Sequence, residues 1–398
     1  MRFLRNLILF FLFFSCSKRE NNSTDINIFQ TSQYIALDVD KKNTFLDSLN
    51  ESTIELPQTV SSVNYLFDLS TEYYYLNENL KSLNLSRKAL SMAKSVHDTL
   101  SIAKSYNFIG DSYEQEHKDS AYYYYKKAEK IYQILGNDEL RGKMLFNKGY
   151  ILFYEGNYVE SEIEFSKSLQ FLKYSSNHEL LYTVYNMMGC VLERLDDNEN
   201  ALKYFNNARN ELKLLNPNTN TIKYNLSLSV NIANLYNKRN EFNKSIQELN
   251  SVLSDDLESK WPSDYANVLG NLGYSKMKSG NLEKAKPLLT KAYSVSLKNG
   301  TETNVLYKLI NLGEYYLTIK DTSTSLSFLN RALSLGKKLN SNNEVIKSLN
   351  FLSKAEPQRD SYYKGKIIRL TDSLTKVQRK NRNKYARIEY ETAVVEDA

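Results

Sequence analysis

Small residues recur along this chain at a nearly constant interval, and in all but one case each follows an apolar residue. The pairs are Leu69-Ser70, Ile109-Gly110, Lys148-Gly149, Met188-Gly189, Ile232-Ala233, Leu272-Gly273, Leu312-Gly313 and Leu352-Ser353. The small residues, called markers below, are therefore 39, 40 or 44 positions apart. A period of this length is typical of helix-pair repeats rather than of a single globular core.

Two further positions fall into the same register. A second small residue follows eleven or twelve places after the marker, at Ser82, Ala121, Ser161, Ala201, Ser245, Ala285 and Ser325. Four places later a large apolar residue recurs as Tyr125, Phe165, Phe205, Leu249, Leu289 and Leu329, whereas the first repeat has Ser86. Small residues let two antiparallel helices approach closely, and large ones fill the space beside them. Since Gly inside a helix costs about 1 kcal/mol relative to Ala, the repeated marker glycines indicate close packing.

These positions resemble the tetratricopeptide repeat, which has small residues in both helices of a pair and a large residue in the second. The resemblance covers residues 61–355 as about seven repeats and a partial eighth. It implies an all-α fold, a right-handed superhelical solenoid of antiparallel helix pairs. The period exceeds the usual 34 residues, so we expect longer helices. Gly156 and Gly280 are expected to take the left-handed conformation that ends the first helix of a repeat.

The resemblance also implies a concave groove lined by the first helix of each repeat. Asn recurs in this helix two residues before the marker, as Asn147, Asn231, Asn271 and Asn311. An amide offers both a donor and an acceptor, as a peptide backbone does. The ladder therefore resembles tetratricopeptide superhelices that hold an extended peptide. The alternatives are that these amides bond a neighbouring helix, or that Asn is simply abundant in this chain.

Aromatic residues form a second candidate patch in the predicted groove. The candidates are Phe146, Tyr150, Phe153 and Tyr154 in repeat three, Tyr74 and Tyr75 before them, and Tyr274 and Tyr307 further along. Exposed aromatic side chains are good binding anchors, although packing between helices is the alternative for each of them. We therefore expect a protein or an extended peptide as the partner in the groove.

Composition and motifs exclude several other functions. Lys and Arg number 52 against 46 Asp and Glu, an excess too small to predict nucleic-acid binding. The three histidines are scattered, and no HExxH motif or paired His/Cys spacing indicates a metal site. Cys190 has no histidine near it in its repeat, so we expect an inert thiol. The sequence predicts no cofactor, no metal and no enzymatic activity.

Residues 1–16 predict export. A basic start precedes the apolar run Leu7 to Phe14, which is too short for a membrane-spanning helix of about 20 residues. Cys16 follows a small residue and resembles the lipidated cysteine of bacterial lipoproteins, although that family usually has Leu at the place of Phe13. We expect a membrane-anchored lipoprotein facing the periplasm or cell surface, with simple cleavage or an uncleaved cytoplasmic chain as alternatives. Residues 17–60 predict a polar tether that merges into an irregular helix.

Residues 356–398 depart from the repeat pattern and predict a helix with a basic stretch. The segment "NRNKYARIEYET" at 381–392 resembles the linker of exported bacterial sensor proteins. In that family a tetratricopeptide solenoid precedes a transmembrane helix and a histidine kinase or helix-turn-helix output domain. This sequence ends at Ala398 without those parts, so the second hypothesis is the sensor half of a signalling protein, truncated or acting as a free scaffold. The basic stretch can equally be a solvated helix face.

Overall fold

A capping segment precedes the repeats in the computed structural model, which describes residue 29 and residues 32–394. Helices α1 (Ser32–Ile35) and α2 (Val39–Ser52) lead into a single 3-10 turn. Phe29, Tyr34 and Leu46 are buried in one cluster with side chains of repeat one. The described part of the predicted tether is thus folded, because the end of a solenoid exposes an apolar face that needs a cap. The predicted signal segment and Cys16 lie outside the described residues.

From Val60 the chain forms antiparallel helix pairs. The first helices are α3 (Val60–Tyr75), α5 (Thr99–Tyr113), α7 (Asp138–Tyr154), α9 (His178–Arg194), α11 (Thr219–Lys238), α14 (Pro262–Lys278), α16 (Glu302–Thr318) and α18 (Asn342–Ala355). The second helices are α4 (Asn79–Ser95), α6 (Lys118–Ile134), α8 (Tyr158–Phe171), α10 (Asn198–Leu212), α12 (Phe242–Asn250), α15 (Leu282–Asn299) and α17 (Thr322–Lys338). A short helix, α13 (Leu257–Lys260), lies between repeats five and six. First helices of most adjacent repeats also contact one another, which confirms the all-α solenoid.

Each marker glycine lies against the large residue of its own repeat. A Cβ atom added to Gly189 would lie 2.5 Å from the ring of Phe205, and one added to Gly313 would lie 2.5 Å from Leu329. Repeat one replaces this contact with hydrogen bonds, because Ser70 Oγ lies 2.8 Å from Ser86 Oγ. The two serines are buried and satisfy each other, which explains why the pattern of large residues fails only there.

In six of the seven helix pairs, the turn between the two helices has one left-handed residue at the same register position. Gly156 and Gly280 have φ angles of +78° and +87°, as expected. The same place is taken by Asn77, Asp196, Asn240 and Lys320, all with positive φ. Asn and Asp tolerate this conformation, whereas a lysine is strained by it.

The C-terminal helix α19 (Asp360–Val394) runs from the last repeat back to repeats two and three. Near its start, Tyr363 packs against repeat eight. Further along, the ring of Tyr385 lies 4.8 Å from that of Tyr122 in repeat two, and Asn381 donates to Glu155 in repeat three at 2.6 Å. Helix α19 therefore returns to the early repeats. Among the described residues, no helix is both long and apolar enough to cross a membrane.

Lys148, the one marker neighbour that is not apolar, belongs to a buried ion cluster. Its ammonium lies 2.8 Å from Glu129 Oε2, 3.0 Å from Glu164 Oε2 and 2.8 Å from Glu389 Oε1. Burial lowers the pKa of Lys148, but the phenol of Tyr122 and these carboxylates outweigh it, so the pKa stands well above the usual value. A charge occupies this core position because three carboxylates surround it.

Candidate functional site: the inner groove

The first helices form the inner face of the solenoid, and distant repeats face one another across it. Burial and Glu344 raise the pKa of the Tyr307 hydroxyl, Arg194 lowers it, and Tyr154 raises it further. These groups come from repeats seven, eight, four and three. Since such interactions fade within about 10 Å, these four groups lie near one another, which is the arrangement of a concave groove between first helices.

Several amides of the predicted asparagine ladder are buried or bonded within the protein. Asn147 is buried. Asn231 donates to Asn186 Oδ1 on the neighbouring first helix at 3.1 Å, and Asn271 donates to the backbone oxygen of Asn267 at 3.0 Å. Asn311 is half-buried. For Asn231 and Asn271, the structure shows the amide hydrogens engaged within the protein. The proposed peptide grip of the ladder stays a prediction.

The predicted aromatic patch divides into packing residues and accessible ones. Phe146 stacks on Phe165 with ring centroids 5.5 Å apart, and Phe153 contacts Tyr158 at 5.5 Å, so both fill space between helices. Tyr150 and Tyr154 lie with ring centroids 4.7 Å apart, and Tyr154 is 57% exposed. Tyr154 is therefore the accessible anchor among the repeat-three residues of this patch, while Tyr75 and Tyr307 are exposed in repeats one and seven.

Repeat two places acidic groups in the groove that sequence reasoning missed. Tyr125 donates to Asp111 Oδ1 at 2.8 Å and lies 3.0 Å from Glu114 Oε2, while Asn107 donates to Asp111 at 3.0 Å. Burial raises the pKa of both carboxyl groups, and Asp111 raises that of Glu114 further. Burial, Glu114 and Asp111 also raise the pKa of Tyr74, to about 12. The repeat register could have revealed Asp111, because Asp111 directly follows its marker residue, as the predicted groove residue Tyr150 does.

The later repeats place basic groups around Tyr274, another predicted site residue. The ammonium groups of Lys278 and Lys347 lie 5.9 Å and 5.6 Å from the centre of its ring. Lys278 also pairs with Glu314 at 3.2 Å. Lys308, on the first helix of repeat seven, is buried and donates to Asn267 Oδ1 at 2.8 Å. The inner face thus carries buried carboxyl groups in repeat two and lysines around Tyr274 in repeats six to eight, where Glu314 pairs with one of these lysines.

Other titratable groups give little sign of chemistry. Burial and Glu193 raise the pKa of Cys190 to about 12, so its thiol is protonated at neutral pH and a weak nucleophile. Within residues 32–394, no cluster of three or more His, Cys, Asp or Glu side chains is placed to hold a metal ion. The arrangement offers hydrogen bonds, rings and charges to a ligand.

Comparison with known families agrees with the helix-pair architecture. The tetratricopeptide repeat model matches residues 182–208 and 266–299, which lie in repeats four and six. Repeats four and six are thus tetratricopeptide repeats. No protein of curated function matches its sequence significantly. The resemblance to exported sensor proteins stays a prediction.

Solved structures share the fold of this helical solenoid at low sequence identity. A Rap protein complexed with Competence and Sporulation Factor has a TM-score of 0.60 at 12% identity, covering 85% of this chain and 94% of its own. The Rap conjugation gene regulator of plasmid pLS20, in complex with the Phr* peptide, has 0.56 at 14%, covering 84% and 96%. A tetratricopeptide repeat protein from Parabacteroides merdae has 0.50 at 15%, covering 73% and 99%. At these identities the likeness establishes the fold.

Proposed function

We propose that this protein is a non-enzymatic scaffold that binds a protein or an extended peptide in its inner groove. The observation that carries the proposal is the groove of first helices, which exposes Tyr154 and carries carboxyl groups in repeat two and lysines in repeats six to eight. A solenoid of the same fold is in complex with the Phr* peptide, which supports a peptide as the ligand class. An extended chain suits such a groove because it presents backbone donors, acceptors and side chains along its length.

Affinity capture from native envelope extract, with the full chain as bait, tests this proposal. Tyr154→Ala should reduce capture of the main partner about 30-fold, since an aromatic hot spot contributes about 2 kcal/mol. Tyr174→Ala is the matched control, because Tyr174 is 89% exposed in the loop between α8 and α9. Equal capture by both variants would place the binding surface elsewhere.

The asparagine ladder is tested separately. Replacing Asn231, Asn271 and Asn311 together by Ala should weaken capture if the ladder grips the peptide backbone. Circular dichroism must first show that the triple variant keeps its helical content, since Asn231 also bonds Asn186. Undiminished capture by a folded triple variant would remove the ladder from the binding site while leaving the groove.

The proposed location is the bacterial cell envelope, with a lipid on Cys16 as the anchor. Its support is the basic and apolar start of the sequence, with the cysteine directly after it. Radioactive palmitate should label the wild type and the Cys190→Ala control, but not Cys16→Ala. Equal labelling of Cys16→Ala would exclude a lipoprotein.

The second candidate is the sensor half of a two-component or transcriptional signalling protein. It is favoured by α19, which carries the linker-like segment and contacts repeats two and three. Through these contacts, a ligand in the groove would affect the helix that leads to an output domain. An adjacent reading frame encoding a transmembrane helix and a kinase would support this role, and its absence from the genome would count against it.

A further inference from the structure

Helix α19 holds the whole positive excess of this protein. Between residues 364 and 387 it has nine Lys and Arg residues and a single acidic residue, Asp372. Removing these from the 52 basic and 46 acidic residues of the chain leaves 43 and 45, so the remainder is slightly acidic. The small net charge of the chain therefore hides a strong local concentration of positive charge on one helix.

Five of these side chains lie on one side of α19 and are called the basic stripe below. They are Arg369, Lys376, Arg379, Lys380 and Arg387, and all five are exposed. From Arg369 to Lys376, Lys380 and Arg387 the intervals are seven, four and seven residues, close to two, one and two helical turns. At 1.5 Å per residue, the stripe is about 27 Å long.

The other side of α19 contacts the repeats only near the two ends of the helix. Tyr363 packs against repeat eight, and Tyr385 packs against Tyr122 of repeat two. Between these contacts, every residue from 371 to 380 is exposed except half-buried Leu374. The basic stripe therefore faces solvent along a stretch of helix that stands clear of the solenoid.

The charge of the basic stripe is largely uncompensated. Among residues 32–394, its one ion-pair partner is Glu391, which lies 3.5 Å from Arg387 and is exposed. Lys376 and Lys380 lie one turn apart, where like charges destabilise a helix. An anionic surface against the stripe would remove this repulsion.

Two large apolar side chains share this side of α19. Ile368 is 61% exposed and Tyr390 is 68% exposed. They lie eleven residues before and after Arg379, which is about three helical turns each way, so all three point in nearly the same direction. Aliphatic and aromatic groups beside cations suit the boundary between lipid headgroups and acyl chains. The backbone of a nucleic acid would use only the charges.

The start of the chain lies near the docked end of α19. Phe29 is buried in a cluster that Phe108 of repeat two joins, and Tyr122 of the same repeat holds Tyr385. The twelve residues between Cys16 and Phe29 span at most about 40 Å. A membrane that holds Cys16 would therefore be within reach of the basic stripe.

We propose that the basic stripe of α19 binds the surface of a membrane through its anionic lipid headgroups. The inference goes beyond ligand binding in the groove and adds a second membrane contact to the proposed envelope location. Each basic residue near an anionic surface strengthens the attraction about five-fold, so five together form an effective patch. With α19 against the membrane, the orientation of the solenoid relative to the membrane would be fixed.

Sedimentation with lipid vesicles tests this contact on the full chain, with Cys16→Ala in every sample so that no lipid anchor contributes. The vesicles are phosphatidylcholine alone, or phosphatidylcholine with about one-third phosphatidylglycerol. The protein should bind the anionic vesicles at least about ten-fold more strongly than the neutral ones. Salt at about 0.5 M should release it, because the attraction is then screened.

The decisive variant replaces Lys376, Arg379 and Lys380 together by Gln, and circular dichroism should show unchanged helical content. Its binding to anionic vesicles should fall about 100-fold, as three basic residues are lost. The matched control replaces Lys203, Lys284 and Lys298 by Gln, three exposed lysines on α10 and α15, and should bind as before.

A second pair of variants tests the apolar contribution. Tyr390→Ala should weaken binding several-fold, because the ring would no longer reach the lipid boundary. Tyr174→Ala, which removes a ring that is 89% exposed elsewhere, should not change it.

Three results would overturn the proposal. Equal binding to neutral and anionic vesicles would exclude recognition of anionic lipid, and equal binding by the triple variant and its control would exclude the basic stripe. Binding to a DNA duplex but not to vesicles would assign the stripe to nucleic acid. Because Cys16 is replaced throughout and no peptide is present, none of these results depends on lipidation or on the groove.

Discussion

The ammonium of Lys148 lies 2.8 Å from Oε1 of Glu389, which joins repeat three to the C-terminal helix. The same carboxylate accepts a hydrogen bond from Tyr122 at 2.9 Å and lies 2.8 Å from Lys126 Nζ. Burial raises the pKa of Glu389, but Lys148 and Lys126 outweigh it and lower it to about 2. Glu389 of α19 thus supplies the third carboxylate around Lys148, and the other two belong to the repeats.

Glu389→Gln should release the end of α19 and destabilise the protein by about 2 kcal/mol, because Lys148 would stay buried with one partner fewer. Urea unfolding measures the loss, and hydrogen exchange along residues 378–392 should accelerate. Glu391→Gln is the control, since its pair with Arg387 is exposed and should contribute less than about 0.5 kcal/mol. Unchanged exchange in Glu389→Gln would show that docking does not depend on this cluster.

The ion pair between Lys148 and Glu389 also predicts how the free energy of unfolding depends on pH. The folded pKa of Glu389 is lowered from 4.5 to about 2, so its stabilising effect is present above the unfolded value and is lost as the pH falls through the folded one. The difference in unfolding free energy between wild type and Glu389→Gln should therefore shrink between pH 4.5 and 2. A difference that stays constant over this range would contradict the ion pairing.

Gly189→Ala should destabilise the protein by about 1 to 2 kcal/mol, because overpacking against Phe205 outweighs the better helix propensity of Ala. Thermal and urea unfolding measure the change. Gly365→Ala is the matched control, since a Cβ atom there meets its nearest neighbour only at 3.7 Å and should stabilise α19. Stabilisation by both variants would show that the marker position has room for a methyl group.

Lys320→Gly should stabilise the protein by about 1 kcal/mol, because lysine is strained at the positive φ of 64° in this turn. Lys286→Gly, at an exposed position inside α15, should instead destabilise by about 1 kcal/mol. Urea unfolding of the two variants under the same conditions provides the comparison. A loss of stability in Lys320→Gly would mean that the left-handed turn is not strained.

Lys308→Met should raise the unfolding free energy at pH 7 by about 3 kcal/mol, since the buried ammonium opposes folding and its pKa falls from 10.5 to about 8. A folded pKa below the unfolded one means that the unfolded chain binds more protons between these values, so wild type gains stability as the pH rises from 8 to 10.5. The advantage of Lys308→Met should shrink over that range. Comparing the two curves removes the contribution of tyrosine titration, which both proteins share.

The asparagine and aromatic predictions show where sequence reasoning ends. Tyr154 is exposed as a groove anchor should be, whereas Phe146 stacks on Phe165 inside the inner layer. Both lie on the first helix of repeat three, and the sequence assigned them to one patch. Side chains a turn or two apart on a helix meet different neighbours, so exposure depends on how the next repeat packs.

The sequence by itself determined the repeat and its internal contacts. The pairing of Gly189 with Phe205 and the left-handed Gly156 and Gly280 involve residues close together in one repeat, where the helix period and glycine conformation suffice. Only the tertiary structure decided that Lys148 meets Glu389 and that the end of the Lys308 side chain lies against Gly270. Those contacts depend on how neighbouring helices pack and on the curvature that accumulates over many repeats, and no local pattern encodes that curvature.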